Sequence, residues 1–254
     1  MDMYRYQDPN NYMLDKLIDY INTSNEDKHW DEDEESILKL FFEMTEGSYS
    51  LLDAGCGDGR LIGKYKDHFK EITVLERDKS NAKKIINLIN YFNIKEKVKL
   101  QLGKIQDLEE NKKFDVIICS HVLQHISITD CEDVVKKFSR IVKPKGLLFI
   151  LVSHSETPRD IFTKISRNKD KIKEKEITVD EFNYLTEVCG EVPVRKFTKE
   201  SIQNLAENYD FQTLKYGVYH MINRERPFNK TNPNKMENTP RLVALDSYLI
   251  AQRL

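Results

Sequence analysis

Residues 51–60 read LLDAGCGDGR: an apolar run, an aspartate, three glycines at alternate positions and a second aspartate before Arg60. A strand that ends in glycines and feeds a helix brings backbone close to a ligand, because glycine has no Cβ and accepts positive φ. Nucleotides are the usual occupants of such loops. Here the glycines stand at 55, 57 and 59, so the dinucleotide spacing GxGxxG fails at its third glycine. Asp58 occupies a place where a pyrophosphate would need bare amides; its carboxylate repels phosphate and favours a ligand carrying positive charge. Asp53, at the strand end, adds a second acid able to orient an amino group. The loop therefore calls for a nucleoside-like, unphosphorylated ligand that is cationic near the glycines.

Outward from the loop, short apolar runs alternate with amphipathic stretches from residue 50 to 152, the pattern of a parallel sheet covered by helices. Strands are predicted at SLLDA (50–54), EITVLE (71–76), KVKLQL (97–102), FDVIICS (114–120) and GLLFILV (146–152). SNAKKIINLINYFN places Ala82, Ile85, Ile86, Ile89 and Phe92 on one helical face, with Ser80 as its cap. DCEDVVKKFSRIV does the same with Val134, Val135, Phe138, Ile141 and Val142. Upstream, PNNYMLDKLIDYIN and DEDEESILKLFFEMT read as two helices of an N-terminal arm, 1–47, the second opening with acids that suit a helix N-terminus. The remaining domain, 48–254, carries an insertion at about 155–197, basic from Arg159 to Lys175 and acidic from Glu176 to Glu191. A helix and a strand follow in TKESIQNLAENYDFQTLKYGVYH, then a loop rich in Asn, Pro and Lys, and RLVALDSYLIAQRL supplies a last strand.

S-adenosylmethionine answers the loop's description of its ligand, and the chain resembles the class I S-adenosylmethionine-dependent methyltransferases. DAGCGDG is similar to the acid-x-Gly-x-Gly-x-Gly signature of that family, with Asp53, Gly55, Gly57 and Gly59 on the motif positions. Glu76 closes the second strand where the family's acid takes both ribose hydroxyls. GKIQDL (103–108) lies at the adenine-contacting loop, with Lys104 in place of the family's first acid. FDVIICSHVLQHI resembles the fourth-strand motif, and IVKPKGLLFI the Leu-x-Pro-Gly-Gly segment, with Lys145 replacing its first glycine. The resemblance runs from about residue 48 to 152 and weakly beyond. It implies a doubly wound, mostly parallel seven-stranded α/β sheet with an N-terminal helical arm and a helical insertion after the fifth strand. It also implies a cofactor site of Asp53, Gly55, Cys56, Gly57, Gly59, Glu76, Arg77, Ile105, Gln106 and Ser120.

Methyl transfer from a sulfonium is an in-line displacement, which needs a base only if the acceptor must lose a proton. Histidines just past strand ends are the candidates: His154 first, His121 second, with His220 near the sixth strand. His121 and His125 stand four apart, but no carboxylate neighbours them in sequence to complete a metal site; no metal is expected, and the resemblance implies a packing role for His125. Tyr4, Tyr6, Tyr12 and Trp30 are candidates to fold over a sulfonium. Phe162, Phe182 and Tyr184 are apolar positions of a lid, and Arg159, Arg167 and Arg195 are candidate contacts for an acidic acceptor.

The bulk properties narrow the partners. Charged residues make up 32% of 254, yet the formal net charge is -2, so no global field draws the chain to nucleic acid or anionic lipid. Four scattered cysteines without a CxxC pair fit free thiols in a reducing compartment. No long apolar run or basic leader is present, so a cytoplasmic protein without membrane spans is expected. The expected partner is a small-molecule methyl acceptor. Two alternatives stand beside it: an RNA or protein acceptor drawn to the basic part of the insertion, and a non-catalytic cofactor-binding or activator subunit. Neither the acceptor atom nor the oligomeric state is written in the sequence.

Overall fold

The computed structural model describes residues 30–168, 171–188, 191–224 and 241–254. Strands β1 (Ser50–Ala54), β2 (Glu71–Glu76), β3 (Val98–Leu102), β4 (Phe114–Ser120) and β5 (Val142–Ser153) are parallel, and two long strands, β9 (Phe211–Arg224) and β10 (Arg241–Arg253), complete their sheet. Its order is β3-β2-β1-β4-β5-β10-β9, with β10 antiparallel to both neighbours. Every residue of β1 is buried, as its uninterrupted SLLDA run requires of a central strand covered on both faces. The order reverses between β1 and β4, and the carboxyl ends of the strands flanking that point form the crevice where ligands collect in such sheets.

Alternation along the strands divides the core. Leu51, Val74, Val116, Ile118 and Phe149 meet helices α1 (Trp30–Met44), α2 (Ile62–Tyr65) and α3 (Lys79–Tyr91) on one face. Leu52, Leu75, Ile117, Leu148 and Ile150 meet α4 (Ile128–Ile141) and α6 (Lys199–Glu207) on the other. The predicted faces of α4 and the apolar side of α3 are buried, except that Ile86 is 48% exposed and Phe92, just past the helix, is half-buried. Asp78 caps α3 in place of Ser80: its carboxylate accepts from the Ser80 and Asn81 amides, an arrangement open to a residue one position before the first helical turn. Of the predicted arm, α1 packs into the core, where Phe41 is fully buried and stacks on Phe149 with ring centroids 4.4 Å apart. The helix predicted before it, with Tyr4, Tyr6 and Tyr12, lies outside the described residues, as does the side chain of Trp30.

The insertion departs from the expected helical one. Among the described residues it holds a single helix, α5 (Val179–Glu187), on a three-stranded antiparallel sheet of β6 (Ile161–Asn168), β7 (Lys171–Glu176) and β8 (Val192–Lys196), ordered β7-β6-β8. The physical reason is a period of two: Thr163 and Ile165 share a face with Val192 and Val194, while Phe162 packs on Phe182 of α5 at 5.0 Å. KIKEKE then makes a charged edge strand that resists pairing with a stranger. Phe182 is fully buried and Tyr184 is 65% exposed.

Lys145 has φ +64 and sits immediately before Gly146, where an added Cβ would lie 2.7 Å from the Asp115 carbonyl oxygen. The first position thus wants a residue free to turn left-handed and the second one without a side chain. Lys145→Gly is expected to raise stability by about 1 kcal/mol and Gly146→Ala to lower it by about 2 kcal/mol. Urea midpoints at unchanged m-value check both.

Candidate active site at the carboxyl ends of the strands

The turn that ends β1 is built on one carbonyl. The amides of Gly55 and Cys56 both donate to Leu75 O, at 2.9 and 3.0 Å, so the chain leaves the sheet over β2. Gly55, at φ +85, has no room for a side chain: a Cβ there would lie 2.4 Å from Val122 Cγ2 on the loop after β4. Gly57, at φ +59, is the opposite case, since a Cβ would meet nothing within 4 Å. The loop is packed at its first glycine and faces open space at its second.

Two acids line the floor. Asp53 is 1% exposed; its Oδ2 accepts from Tyr65 OH at 2.8 Å, and its Oδ1 has no hydrogen-bond partner among the described residues. Burial drives its carboxyl up to about 7, against the pull of the Tyr65 bond and the Arg60 charge, with Glu76 adding to the rise. Glu76 accepts from the Gly57 amide at 2.8 Å through Oε2 and from the Asp78 amide at 2.7 Å through Oε1. Burial still raises it, and each oxygen keeps a second lone pair for a ligand hydroxyl. On β4 the Ser120 hydroxyl is buried without a partner among the described residues. Buried polar atoms of this kind are costly unless something pairs them. Unsatisfied oxygens on Asp53 and Ser120 beside an open glycine therefore fit a ligand that brings donors and positive charge.

The other predicted positions vary. Cys56 and Arg77 are half-buried near the loop, and burial pushes the Cys56 thiol well above its usual range. Ile105 is buried in a short 3-10 turn, whereas Gln106 is drawn towards α4: its amide donates to Asp130 at 3.2 Å, and Lys137 bonds its carbonyl. Arg60 forms a two-pronged pair with Glu34 of α1, one contact at 2.7 Å, which ties that helix to the exit of the glycine loop. The acids expected to serve the helix terminus thus include one engaged with the loop.

The histidines separate. His121 follows β4 with φ +55; Tyr219 OH lies 3.3 Å from its Nε2, and Gln124 Oε1 3.3 Å and Asp246 Oδ1 3.9 Å from its Nδ1. His154, half-buried after β5, has Nδ1 3.2 Å from Tyr216 OH, and burial pushes its imidazole down. His220 lies in β9 with its side chain outside what is described. His121 and His125 do not make a helical pair: Leu123–His125 is a 3-10 turn, and buried His125 bonds the Pro193 carbonyl at 2.8 Å, holding β8 of the insertion against the loop after β4. Phe197 likewise donates to Ser153 O, and Ser155 to Phe197 O, both at 2.8 Å. The candidate arginines of the insertion serve structure: Arg195 pairs with Asp160 at 2.7 Å and stacks on Phe197, and Arg159 pairs with Glu176. Arg167's side chain lies outside the described residues. Sequence reasoning missed Asp246, Tyr219, Gln124 and Tyr65. Only Asp246 carried a signal, an acid inside the apolar run VALDSYLI.

The chain matches the family model described as "Methyltransferase domain" over residues 12–216. It belongs to that family. Among solved structures, an S-adenosylmethionine-dependent methyltransferase from Clostridium acetobutylicum superposes with TM-score 0.63 at 14% identity, covering 96% of this chain and 99% of that one. The glycopeptide N-methyltransferase MtfA in complex with S-adenosylmethionine gives 0.58 at 12%, covering 87% and 95%. These are likenesses of fold. In sequence, a ubiquinone biosynthesis O-methyltransferase of Rickettsia bellii is 28% identical over 100 residues, 39% of this chain. The chain spans 40% of the length of that relative. The seven-stranded, mostly parallel sheet expected of the family is the one observed.

Two buried groups oppose each other in acid. Asp53, raised from 3.8 to about 7, leaves the folded state holding the extra proton, so its contribution to stability falls as pH rises through that window. His125, lowered from 6.5 to about 4, leaves the unfolded state holding the extra proton, so its contribution falls as pH drops through that window. Each amounts to roughly 3–4 kcal/mol. The parent is expected to show a flat stability profile between pH about 4 and 6.5, and Asp53→Asn one that rises with pH by roughly 3 kcal/mol. Denaturant titrations across that range decide it.

Proposed function

We propose that the chain transfers the methyl group of S-adenosylmethionine to an oxygen, nitrogen or sulfur nucleophile of a small molecule. The observation that carries this is the unpartnered buried Asp53 Oδ1 beside the open Gly57, at the strand ends of a methyltransferase-family sheet. In this reading Asp53 and the loop 55–59, with Cys56 and Ser120 alongside, hold the amino acid end of the cofactor. Glu76, followed by Arg77, takes the ribose hydroxyls, and Ile105 and Gln106 border the adenine. The bound cofactor supplies an electrophilic methyl on a sulfonium; the protein's task is to align the acceptor with it and to keep water out.

A small acceptor is favoured over nucleic acid by the charge pairing of the insertion. Most of its described cations are answered within it: Lys164 by Glu181 and Glu191, Lys196 by Glu174, Arg195 by Asp160 and Arg159 by Glu176. Among the described side chains this leaves Lys173 and Lys175 on β7, too few to track a phosphate backbone. The insertion, held beside His154 and the loop after β4, acts as a lid over the acceptor. A sequence relative named for ubiquinone biosynthesis supports this class. No described helix is long and apolar enough to cross a membrane, and the proposed setting is cytoplasmic.

Asp53→Ala and Gly57→Val are each expected to weaken cofactor binding at least about 100-fold, the first by removing the ammonium's partner and the second by filling the open side of the loop. Calorimetry on folded variants measures it, and full binding by both would overturn the site. Incubation with methyl-labelled cofactor and size-fractionated cell extract tests the acceptor class: label in the low-mass fraction is the expected result.

A further inference from the structure

We propose that His121, held by Asp246 and Tyr219, is the base that removes the proton from a phenolic hydroxyl acceptor. The inference rests on the methyl-transfer reading and deepens it by naming the base, its positioning residues and the acceptor class.

The argument starts from a residue in an unfavourable place. His121 is not glycine, yet it turns left-handed directly after β4, and its amide donates to Leu151 O at 2.8 Å. That bond ties the backbone of the turn between the ends of β4 and β5, at the crevice beside the glycine loop. A strained conformation at such a point is worth reading as function only when the side chain it aims has somewhere to go.

The hydrogen-bond network orients the ring. Gln124 Oε1 accepts from the Ser153 amide at 2.7 Å, which fixes the side-chain oxygen towards the sheet. The same oxygen faces His121 Nδ1, so in the neutral imidazole Nδ1 carries the proton and Nε2 is the acceptor. Asp246, 4% exposed, stands 3.9 Å from Nδ1, beside the ring nitrogen that keeps its proton. Tyr219 OH meets Nε2 at 3.3 Å. The other titratable groups facing this corner are His125 and His154, with Glu34 and Arg60 acting on Tyr219 from the α1 side. His154 is the poorer base, because burial lowers its affinity for a proton.

The acceptor class follows from the base. An imidazole is better matched to the proton of a phenol or enol than to that of an aliphatic alcohol, whereas a neutral amine or thioether needs no base before it attacks. The Nε2 of His121 already meets one phenol oxygen, that of Tyr219, and a second ring, Tyr248, lies 6.5 Å from Tyr219. In the proposed step the acceptor oxygen bonds the methyl carbon as the carbon–sulfur bond breaks with its electron pair to sulfur. The phenolic proton passes to His121 Nε2 and from there to water.

The test uses the full chain, S-adenosylhomocysteine and 4-nitrophenol, whose visible absorbance reports its ionisation without turnover. With S-adenosylhomocysteine bound, 4-nitrophenol is expected to bind and to ionise at a lower pH than in free solution. His121→Asn, which tolerates the left-handed backbone, removes the shift; Asp246→Asn cuts the ionised fraction about tenfold at a given pH. S-adenosylhomocysteine affinity stays within threefold in both. If Asp246→Asn does not fold, His121→Asn alone carries the test. Failure of the parent to bind S-adenosylhomocysteine overturns the methyl-transfer reading itself. Binding of S-adenosylhomocysteine without 4-nitrophenol overturns the phenolic class, and an unaltered shift in His121→Asn overturns the base.

Discussion

The carboxyl edge of the sheet depends on how β1 stops. Leu75 O takes two consecutive amides, those of Gly55 and Cys56, and this double acceptance lifts the chain out of the sheet one residue after Ala54. Because β1 is the central parallel strand, with Asp53 in register with Val74 on one side and Ile118 on the other, the acid before the turn is buried from both flanks. A carboxylate so placed cannot be hydrated, and Tyr65 compensates only one of its oxygens. The floor of the crevice is thus kept short of positive charge by the architecture of the strands.

The second half of the site comes from strand direction. Parallel strands present their last residues at this edge; β10 runs the other way, so it presents early residues there, with Asp246 opposite Ser153. Its partner β9 places Tyr219 opposite Asp246. An antiparallel strand set beside parallel ones therefore carries an acid from the end of the chain to a histidine more than a hundred residues earlier. Arg60 and Glu34 close the ring from the loop and α1, so five separate segments meet in one polar cluster.

Much of the fold was legible because β1, β2 and β4 are apolar runs whose neighbours switch to helical period, and those three strands fall within the residues read from sequence. The insertion was not, because β7 mixes lysine with glutamate along an edge strand, and a block count of charge conceals a period of two. At the site, Asp53, Glu76 and the glycines were legible because their spacing is local and tied to one turn. Asp246, Tyr219 and Gln124 were not, since each acquires its meaning from a partner supplied by the topology. Gln106 shows the converse: a correct place in the sequence, but a side chain that α4 draws to Asp130.

The bond from His125 to Pro193 O governs how the insertion can travel. Together with the bonds from the Phe197 amide to Ser153 O and from the Ser155 amide to Phe197 O, it rivets the returning limb of the insertion to the sheet at two places. An insertion pinned along one limb cannot swing as a plate. Any movement falls to the outer limb, β6 and β7, while β8 stands as a fixed post whose position is set by the same loop that carries His121.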